Sequence, residues 1–187
     1  MKSIVIFASG SGTNAENIIL HFQKGNIAKV SAVFSNKADA KVLDRAKKLN
    51  VPTVVFSKEE LSSDELLQQL NSYKPDLIVL AGFLLKFPSN IIEAYPDKII
   101  NVHPALLPKY GGKGMYGMNV HRAILENNEK ETGISIHYVN EHYDEGDVIF
   151  QKIVSVENCE TPEDIATCVH QLEYEYFPLI IEQILNR

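Results

Sequence analysis

The hydrophobic pattern of the chain alternates between short apolar runs and amphipathic stretches. The runs SIVIFAS, KVSAVFS, TVVF, DLIVLAGF and KIINVH are continuous rather than alternating, which is typical of parallel strands buried on both faces. Stretches with helical spacing lie between or after them, namely NAENIILHFQKG, ADAKVLDRAKKLN, SSDELLQQLNSYK and PSNIIEAY. The pattern therefore predicts an α/β fold, with a Rossmann-like, mostly parallel sheet flanked by helices on both faces.

The pattern changes in the C-terminal third of the chain. A helical stretch, NVHRAILENN, precedes the strands GISIHYV and DVIFQKIVSV, and the short NEHYDEG loop between them predicts an antiparallel edge of the sheet. The last stretch, from Thr161 onwards, predicts a long C-terminal helix that Thr161 caps, with Pro162 at its first position. Pro178 is expected to kink this helix. Without repeats or linkers, residues 1–187 are expected to form a single domain.

Composition excludes several classes of protein. The formal net charge of −6 argues against a nucleic-acid binder, which would present a basic face. No apolar stretch is long enough to span a bilayer, and the N-terminus lacks the features of a secretory signal. Cys159 and Cys168 belong to no metal or redox motif and are interpreted as reduced thiols. We therefore expect a cytoplasmic protein that has neither a nucleic acid nor a membrane as partner.

A glycine-rich turn, ASGSGTN, connects the first strand to the first helix. Gly10 and Gly12 permit tight backbone geometry, while Thr13 and Asn14 add side-chain donors next to the helix amides, so the turn suits an anion such as phosphate. The alternative is a turn that needs its glycines for shape alone, and at this point both interpretations remain open. A Walker P-loop is excluded because Gly-Lys-Ser/Thr is absent, and a dinucleotide fingerprint fits poorly.

A pair of polar residues ends the fifth strand. Asn101 and His103 occupy alternate positions, so their side chains project to the same face and offer an amide and an imidazole suited to a developing oxyanion. Asp144, in the distant NEHYDEG loop, would orient His103 and raise its pKa if the two met. The alternatives are a packed core histidine and an Asx turn before Gly146.

The remaining histidines are weaker candidates for chemistry. His137 is expected to be packed or hydrogen-bonded, His142 to lie on the loop surface, and His21, His121 and His170 to sit on helices without partners. No set of His, Cys and carboxylate residues has metal-ligand spacing, so no metal is expected. A serine nucleophile elbow is also absent, which favours direct group transfer.

Six segments together resemble the phosphoribosylglycinamide formyltransferase family, folate-dependent enzymes of purine biosynthesis. They are SGSGTN, DLIVLAGF, IINVHPALLPKYGG, GISIHYV, YDEGDVI and LEYEYFPLII, and the resemblance extends from about Ile4 to Ile181. NVHP-LLP and the loop aspartate occur throughout the wider formyltransferase superfamily. SGSGTN and LEYEYFPL are similar to the ribonucleotide branch in particular.

The resemblance implies a reaction and a set of sites. The formyl group of the co-substrate 10-formyltetrahydrofolate passes to the amino group of glycinamide ribonucleotide, through a tetrahedral intermediate that Asn101 and His103 stabilise with help from Asp144. The resemblance assigns the ribonucleotide to Gly10, Gly12, Thr13, Asn14 and Glu173. It assigns the folate to Leu84, Leu85, Lys86, Phe87, Asn101, Val139 and Asn140. Residues 1–100 then form a phosphate-binding half and residues 101–187 the catalytic and folate-binding part, in a monomer or homodimer.

The chain departs from the family in two places. Some members have an arginine that meets the acidic tail of folate, whereas this chain has Glu59 near that position and only Lys58 beside it. The loop YGGKGMYGMNVH is also longer and richer in glycine than its counterpart, so we expect residues 111–119 to form a mobile lid from which Lys113 approaches the phosphate.

Other enzymes of the superfamily fit the chain less well. A methionyl-tRNA formyltransferase would need a C-terminal RNA-binding extension and a basic surface, and a formyltetrahydrofolate hydrolase usually has an N-terminal regulatory domain before the catalytic fold. A dehydrogenase would need a third fingerprint glycine and an acidic residue at the end of the second strand.

Overall fold

One sheet forms the centre of the molecule, and the computed structural model describes every residue from Met1 to Arg187. The strands are β1 (Lys2–Phe7), β2 (Ala28–Ser35), β3 (Thr53–Val55), β4 (Leu77–Leu80), β5 (Ile99–His103), β6 (Glu131–Tyr138) and β7 (Val148–Ser155). The helices are α1 (Thr13–Gln23), α2 (Lys41–Lys48), α3 (Asp64–Ser72), α4 (Ser89–Ala94), α5 (Met118–Glu126) and α6 (Pro162–Leu185), and a short 3₁₀ helix spans Glu60–Ser62.

The seven strands lie in the order β3-β2-β1-β4-β5-β6-β7. Neighbours from β3 to β5 are parallel, whereas β6 and β7 join as antiparallel strands at the other edge. The predicted α/β fold with an antiparallel edge and a long C-terminal helix is therefore confirmed. It could be predicted because strand and helix patterns alternate as far as β5 and two strands then follow each other directly.

Both faces of the sheet are covered by apolar side chains, as the continuous strand pattern predicts. Along β1, Ile4 and Ile6 belong to the larger of two buried clusters, while Val5 and Phe7 belong to the smaller one. Successive side chains of a strand point to opposite faces, so β1 contributes to both clusters. In the smaller cluster Phe7 packs against the rings of Phe34, Phe56, Phe83 and Phe87.

The C-terminal helix contains a proline that α1 accommodates. Thr161 and Asp164 form a reciprocal capping box at its start, and the helix then continues without interruption through Pro178. Because proline lacks an N–H, the carbonyl of Tyr174 loses its helical donor. Asn17 of α1 donates to that carbonyl over 2.8 Å, so this contact pairs the oxygen and ties α6 to α1. The kink expected at Pro178 stays a prediction.

No helix in the structure combines the length and the apolar character needed to cross a bilayer.

The turn before α1 depends on one glycine. Gly12 has a φ of 74°, and a Cβ atom placed on it would lie 2.3 Å from Cγ2 of Val42. Gly10, two residues earlier, has no atom within 4 Å of such a Cβ position. Close packing against α2 and a left-handed backbone therefore both require glycine at position 12, whereas neither restricts position 10.

We expect Gly12→Ala to lower the free energy of unfolding by about 2–4 kcal/mol, because the variant combines a strained φ with overpacking. Gly10→Ala is the matched control and should stay within about 0.5 kcal/mol of the wild type. Urea unfolding of the three proteins measures both values. Equal stability of the two variants would show that the contact with Val42 relaxes without cost.

Candidate active site

The carboxyl ends of the parallel strands open into a cavity of about 540 Å³. Open parallel sheets bind ligands at this edge because the loops that follow neighbouring strands converge there. This main cavity is bounded by six segments of the chain. They are the glycine turn (10–14), the segment after β4 (81–84), the end of β5 (101–104), the loop 112–117 with His121, the hairpin residues 143–144, and His170 with Glu173 of α6.

The glycine turn is held in place by α2. The backbone N–H of Val42 donates to the carbonyl of Gly10 over 3.1 Å, and Nε of Arg45 donates to the carbonyl of Ser11 over 2.9 Å. Arg45 also forms an ion pair with Glu16 in the first turn of α1. All four turn residues proposed for phosphate line the main cavity, at the end of a helix whose first amides have no helical acceptor.

Glu173 faces the glycine turn across the main cavity. Its Oε2 accepts a hydrogen bond from Nδ2 of Asn14 over 2.7 Å, and its side chain is buried. Burial raises the pKa of Glu173 to about 7, which the hydrogen bond from Asn14 opposes only in part. Oδ1 of Asn14 is buried without a partner. A polar ligand in the main cavity could pair both groups.

His103 is buried and is oriented from two sides. Its Nε2 lies 2.7 Å from the carbonyl oxygen of Tyr110, which can only accept, so Nε2 carries the proton and donates. Nδ1 lies 3.6 Å from Oδ2 of Asp144, beyond hydrogen-bonding distance but close enough for a charge interaction once the ring is protonated. The distant hairpin therefore brings its carboxylate to the end of β5, as the sequence predicted.

The carboxylate of Asp144 is fixed by the loop that follows β5. Its Oδ2 accepts from the backbone N–H of Gly112 over 2.9 Å, and its Oδ1 lies 3.6 Å from Nε2 of His137. Burial raises the pKa of Asp144, but the Gly112 amide and the rings of His137 and His103, when these are protonated, together outweigh burial and hold it below its usual value. Asp144 is therefore ionised at neutral pH, and it pairs with Gly112 instead of forming an Asx turn.

Asn101 is positioned by a cross-strand neighbour. It lies opposite His137 in the β5–β6 ladder, and its Nδ2 contacts Nε2 of His137 over 3.1 Å. Nδ1 of His137 faces the carbonyl of Tyr138 at 2.8 Å, so Nδ1 carries the proton and Nε2 accepts from the amide. The second N–H of the Asn101 amide remains for a ligand. His137 was expected to be packed or hydrogen-bonded, and it is both.

The chain that leaves β5 is held by the two antiparallel strands. The hydroxyl of Ser135 donates to the carbonyl of Ala105 over 2.7 Å and accepts from the N–H of Leu107 over 2.9 Å. Gln151 of β7 donates to this hydroxyl and to the carbonyl of Leu107. These contacts fix the direction of the chain between His103 and the loop that reaches Asp144.

The pKa of His103 differs in direction from the sequence-based expectation. Asp144 does raise it, and so does the Tyr110 carbonyl, but desolvation by burial is larger and His137 adds to it. The net result is a pKa below the ordinary value, and thus a neutral ring at neutral pH. The expectation considered only the charge of the partner and omitted the cost of burying an imidazolium.

A second, smaller cavity of about 70 Å³ adjoins the main one. Among the residues proposed for folate, Leu85, Lys86, Phe87, Asn101, Val139 and Asn140 line this side cavity, whereas Leu84 lines the main cavity. Four residues line both cavities, namely Phe83, Asn101, Tyr143 and Asp144. Ligands that occupied the two cavities would therefore approach each other at these side chains.

Sequence reasoning missed the surroundings of three histidines. His121 of α5 and His170 of α6 both line the main cavity, and burial lowers the pKa of His121 to about 4. Nδ1 of His121 has no partner within the protein. His21 pairs with Glu182 over 2.9 Å. No local signal could have identified these positions, because each depends on how helices far apart in the sequence pack together.

Lys113 lines the main cavity, whereas Lys58 and Glu59 are exposed and line neither cavity. His142 is exposed, as expected of a loop residue. No group of three or more His, Cys, Asp and Glu side chains is arranged to hold a metal ion. Direct transfer without a metal stays a prediction.

Comparison with known proteins shows which family the chain resembles. The sequence profile described as Formyl transferase matches residues 2–181. The phosphoribosylglycinamide formyltransferase of Escherichia coli (strain K12) is 37% identical over 185 residues, covering 96% of this chain and 85% of that protein. The phosphoribosylglycinamide formyltransferase structure from Coxiella burnetii has a TM-score of 0.89 and 38% identity, covering 99% of this chain and 87% of that one.

A plant relative is longer than this chain. The chloroplastic phosphoribosylglycinamide formyltransferase of Arabidopsis thaliana is 36% identical over 190 residues, which cover 98% of this chain. The chain spans 65% of that relative's length.

The buried carboxyl of Glu173 should make stability depend on pH. Its pKa of about 7 lies above the ordinary value of 4.5, so the folded protein binds an extra proton between these values, and its free energy of unfolding falls as pH rises through that window. Glu173→Gln removes this titration. We expect the stability of the variant relative to wild type to increase by on the order of 2–3 kcal/mol between about pH 5 and 8.

Urea unfolding at the two pH values measures this change. Glu175→Gln removes an exposed carboxylate from the same helix and controls for the loss of one charge. Parallel curves for wild type and Glu173→Gln would contradict a raised pKa.

Proposed function

Because the chain belongs to the formyl transferase family, we propose that it transfers the formyl group of 10-formyltetrahydrofolate to the amino group of 5-phosphoribosylglycinamide, in the synthesis of purines. The relatives named phosphoribosylglycinamide formyltransferase support this acceptor. The observation that carries the proposal is the junction of two cavities at Asn101 and Asp144, beside His103.

The main cavity suits the ribonucleotide. Its glycine turn offers helix amides and the side chains of Thr13 and Asn14 to the phosphate, while Glu173 offers a buried acceptor to the hydroxyl and amino groups of the substrate. The folate ring would occupy the side cavity, whose lining is half apolar. The amine and the formyl carbon would then meet at Asn101.

The tautomer of His103 determines its role in the proposed reaction. When the amine attacks the formyl carbon, the carbonyl oxygen becomes an oxyanion, which the free N–H of Asn101 stabilises. The resting imidazole cannot donate from Nδ1, because its only proton is on Nε2 and is directed to Tyr110. His103 therefore contributes a second donor only after Nδ1 has accepted a proton, which the attacking amine supplies.

The environment of His103 favours this proton transfer in both directions. A pKa below the ordinary value keeps the resting ring neutral, so that it can accept the proton. The imidazolium then lies between the Tyr110 carbonyl and the Asp144 carboxylate, which stabilise it while it donates to the oxyanion. Its low pKa also makes it a ready acid, and the proton passes to N10 of the folate as the carbon–nitrogen bond breaks.

Several further expectations about the protein stay predictions. They are the absence of a metal, the absence of nucleic-acid and membrane partners, a monomeric or homodimeric state, and a cytoplasmic location. The division into a phosphate-binding part at 1–100 and a catalytic, folate-binding part at 101–187 is also a prediction.

A formyl-transfer assay with the two proposed substrates tests the function directly. We expect His103→Ala to reduce kcat roughly 10²–10³-fold through loss of an oxyanion donor, and Asp144→Asn to reduce it roughly 10²-fold through loss of support for the imidazolium. Ribonucleotide binding, measured by thermal shift, should remain close to wild type in both variants.

His21→Ala serves as the control, since this histidine pairs with Glu182 away from both cavities. Wild-type protein that binds the ribonucleotide but never transfers formyl would refute the proposed reaction. Equal loss of binding and turnover in the two variants would assign both residues a structural role.

Lys113 is proposed to contact the phosphate of the ribonucleotide, since it lines the same cavity as the glycine turn. We expect Lys113→Ala to weaken ribonucleotide binding roughly ten-fold and to leave binding of a phosphate-free riboside analogue unchanged. Isothermal titration with both ligands separates the two effects. Lys29→Ala, an exposed lysine on β2, is the matched control. The same loss for both ligands would rule out a phosphate contact.

A further inference from the structure

We propose that Tyr110 and Glu129 are positioning residues, whose contact fixes the ring of His103 through the backbone of the loop after β5. The three consecutive residues 110–112, here called the strap, lie between β5 and α5. The strap meets both side chains of the proposed catalytic pair, but its own anchor lies outside the two cavities. This proposal adds to the proposed function. Its predictions about turnover rest on that function, whereas its predictions about the His103 ring do not.

The first observation is the pair of backbone contacts that the strap makes. The carbonyl of Tyr110 accepts from Nε2 of His103 over 2.7 Å, and the N–H of Gly112 donates to Oδ2 of Asp144 over 2.9 Å. The Tyr110 carbonyl thus accepts from the imidazole of His103, and the Gly112 amide donates to the carboxylate of Asp144. A shift of the strap would therefore disturb both side chains together.

The second observation is the backbone conformation of Tyr110. Its φ is 55°, in the left-handed region that a bulky residue rarely adopts. Such a conformation persists only where surrounding contacts compensate for its cost. The extended or helical alternatives would turn the carbonyl in another direction, so the contact with His103 depends on this unfavourable φ.

The third observation is the contact that holds Tyr110. Its ring packs against the main apolar cluster, and its hydroxyl donates to Oε1 of Glu129 over 2.9 Å. Lys109 also contacts Oε1 of Glu129, over 3.1 Å. Glu129 lies in the connection between α5 and β6 and lines neither cavity. Its contact with Tyr110 thus secures the strap from a place that no substrate in the two cavities would reach.

The link to His103 is electrostatic as well as geometric. The contact with the Tyr110 carbonyl raises the pKa of His103, against the larger effect of burial. The other charged and titratable groups that act on the ring are Asp144, His137 and His121. A loosened strap removes the Tyr110 contact and no longer holds Asp144 beside the ring through Gly112, so the pKa of His103 should fall further.

Two variants remove the anchor and one conservative variant preserves it. Tyr110→Phe deletes the hydroxyl, Glu129→Ala deletes its acceptor, and Glu129→Gln keeps an oxygen that can accept. The ¹⁵N shifts of the His103 ring, recorded on the full chain without ligand across a pH series, report its tautomer and pKa. In wild type and Glu129→Gln we expect the proton on Nε2 and the same pKa of the His103 ring. In Tyr110→Phe and Glu129→Ala we expect a lower pKa of the ring.

The rate of formyl transfer should change together with the position and pKa of the His103 ring. We expect Tyr110→Phe and Glu129→Ala to reduce kcat roughly ten-fold, with the KM for the ribonucleotide within two-fold of wild type and the acid limb of the kcat profile moved to lower pH. Glu129→Gln should keep the wild-type kcat, KM and pH profile. Lys109→Ala removes the other partner of Glu129 and should change none of them.

The proposal is overturned if Tyr110→Phe and Glu129→Ala lose thermal stability while the ¹⁵N titration of His103 stays that of wild type. It is also overturned if Lys109→Ala reproduces their effect, because the charge of Glu129 rather than the tyrosine contact would then matter. The ¹⁵N titration needs no substrate. A wild-type protein inactive in formyl transfer would refute the proposed function and leave this test intact.

Discussion

The site depends on a carboxylate and an imidazole that are buried together. Asp144 and His103 approach to 3.6 Å, and burial opposes the charged form of each. Asp144 remains ionised because its pKa lies below the ordinary value and the Gly112 amide donates to it, whereas His103 loses its proton because desolvation exceeds the attraction. The neutral ring of His103 can accept a proton, and the neighbouring Asp144 carboxylate then stabilises the imidazolium. In the proposed reaction the attacking amine supplies that proton.

The topology of the sheet creates this pair. The β6–β7 hairpin leaves β6 at Tyr138, opposite Ile100 near the start of β5. Its loop returns along β5, so Asp144 lies 3.6 Å from His103, 41 positions away in the sequence. The same ladder aligns Asn101 with His137. Parallel strands alone bring the glycine turn to this edge, and the antiparallel pair adds the carboxylate.

Helices α2 and α6 complete the site by holding or contacting the glycine turn. Val42 and Arg45 of α2 hold the glycine turn, and Glu173 of α6 meets Asn14 across the cavity. On the opposite side the strap holds His103 and Asp144, anchored by Tyr110 and Glu129. The glycine turn, Glu173, His103 and Asp144 are thus each oriented by a neighbour before a ligand binds.

The sequence by itself determined the strands and helices, the parallel sheet with its antiparallel edge, the capping of α6 and the shared face of Asn101 and His103, while the family resemblance indicated Asp144. These follow from local patterns, since apolar periodicity, glycines and the spacing of Asn101 and His103 act within a few residues of each other. Tertiary structure alone decided which groups meet. Asn17 with the carbonyl of Tyr174, His121 and His170 in the main cavity, and Glu129 with Tyr110 are contacts between distant segments. It also decided the charge of His103, because a pKa depends on desolvation, and the extent of burial is known only once the whole chain has packed.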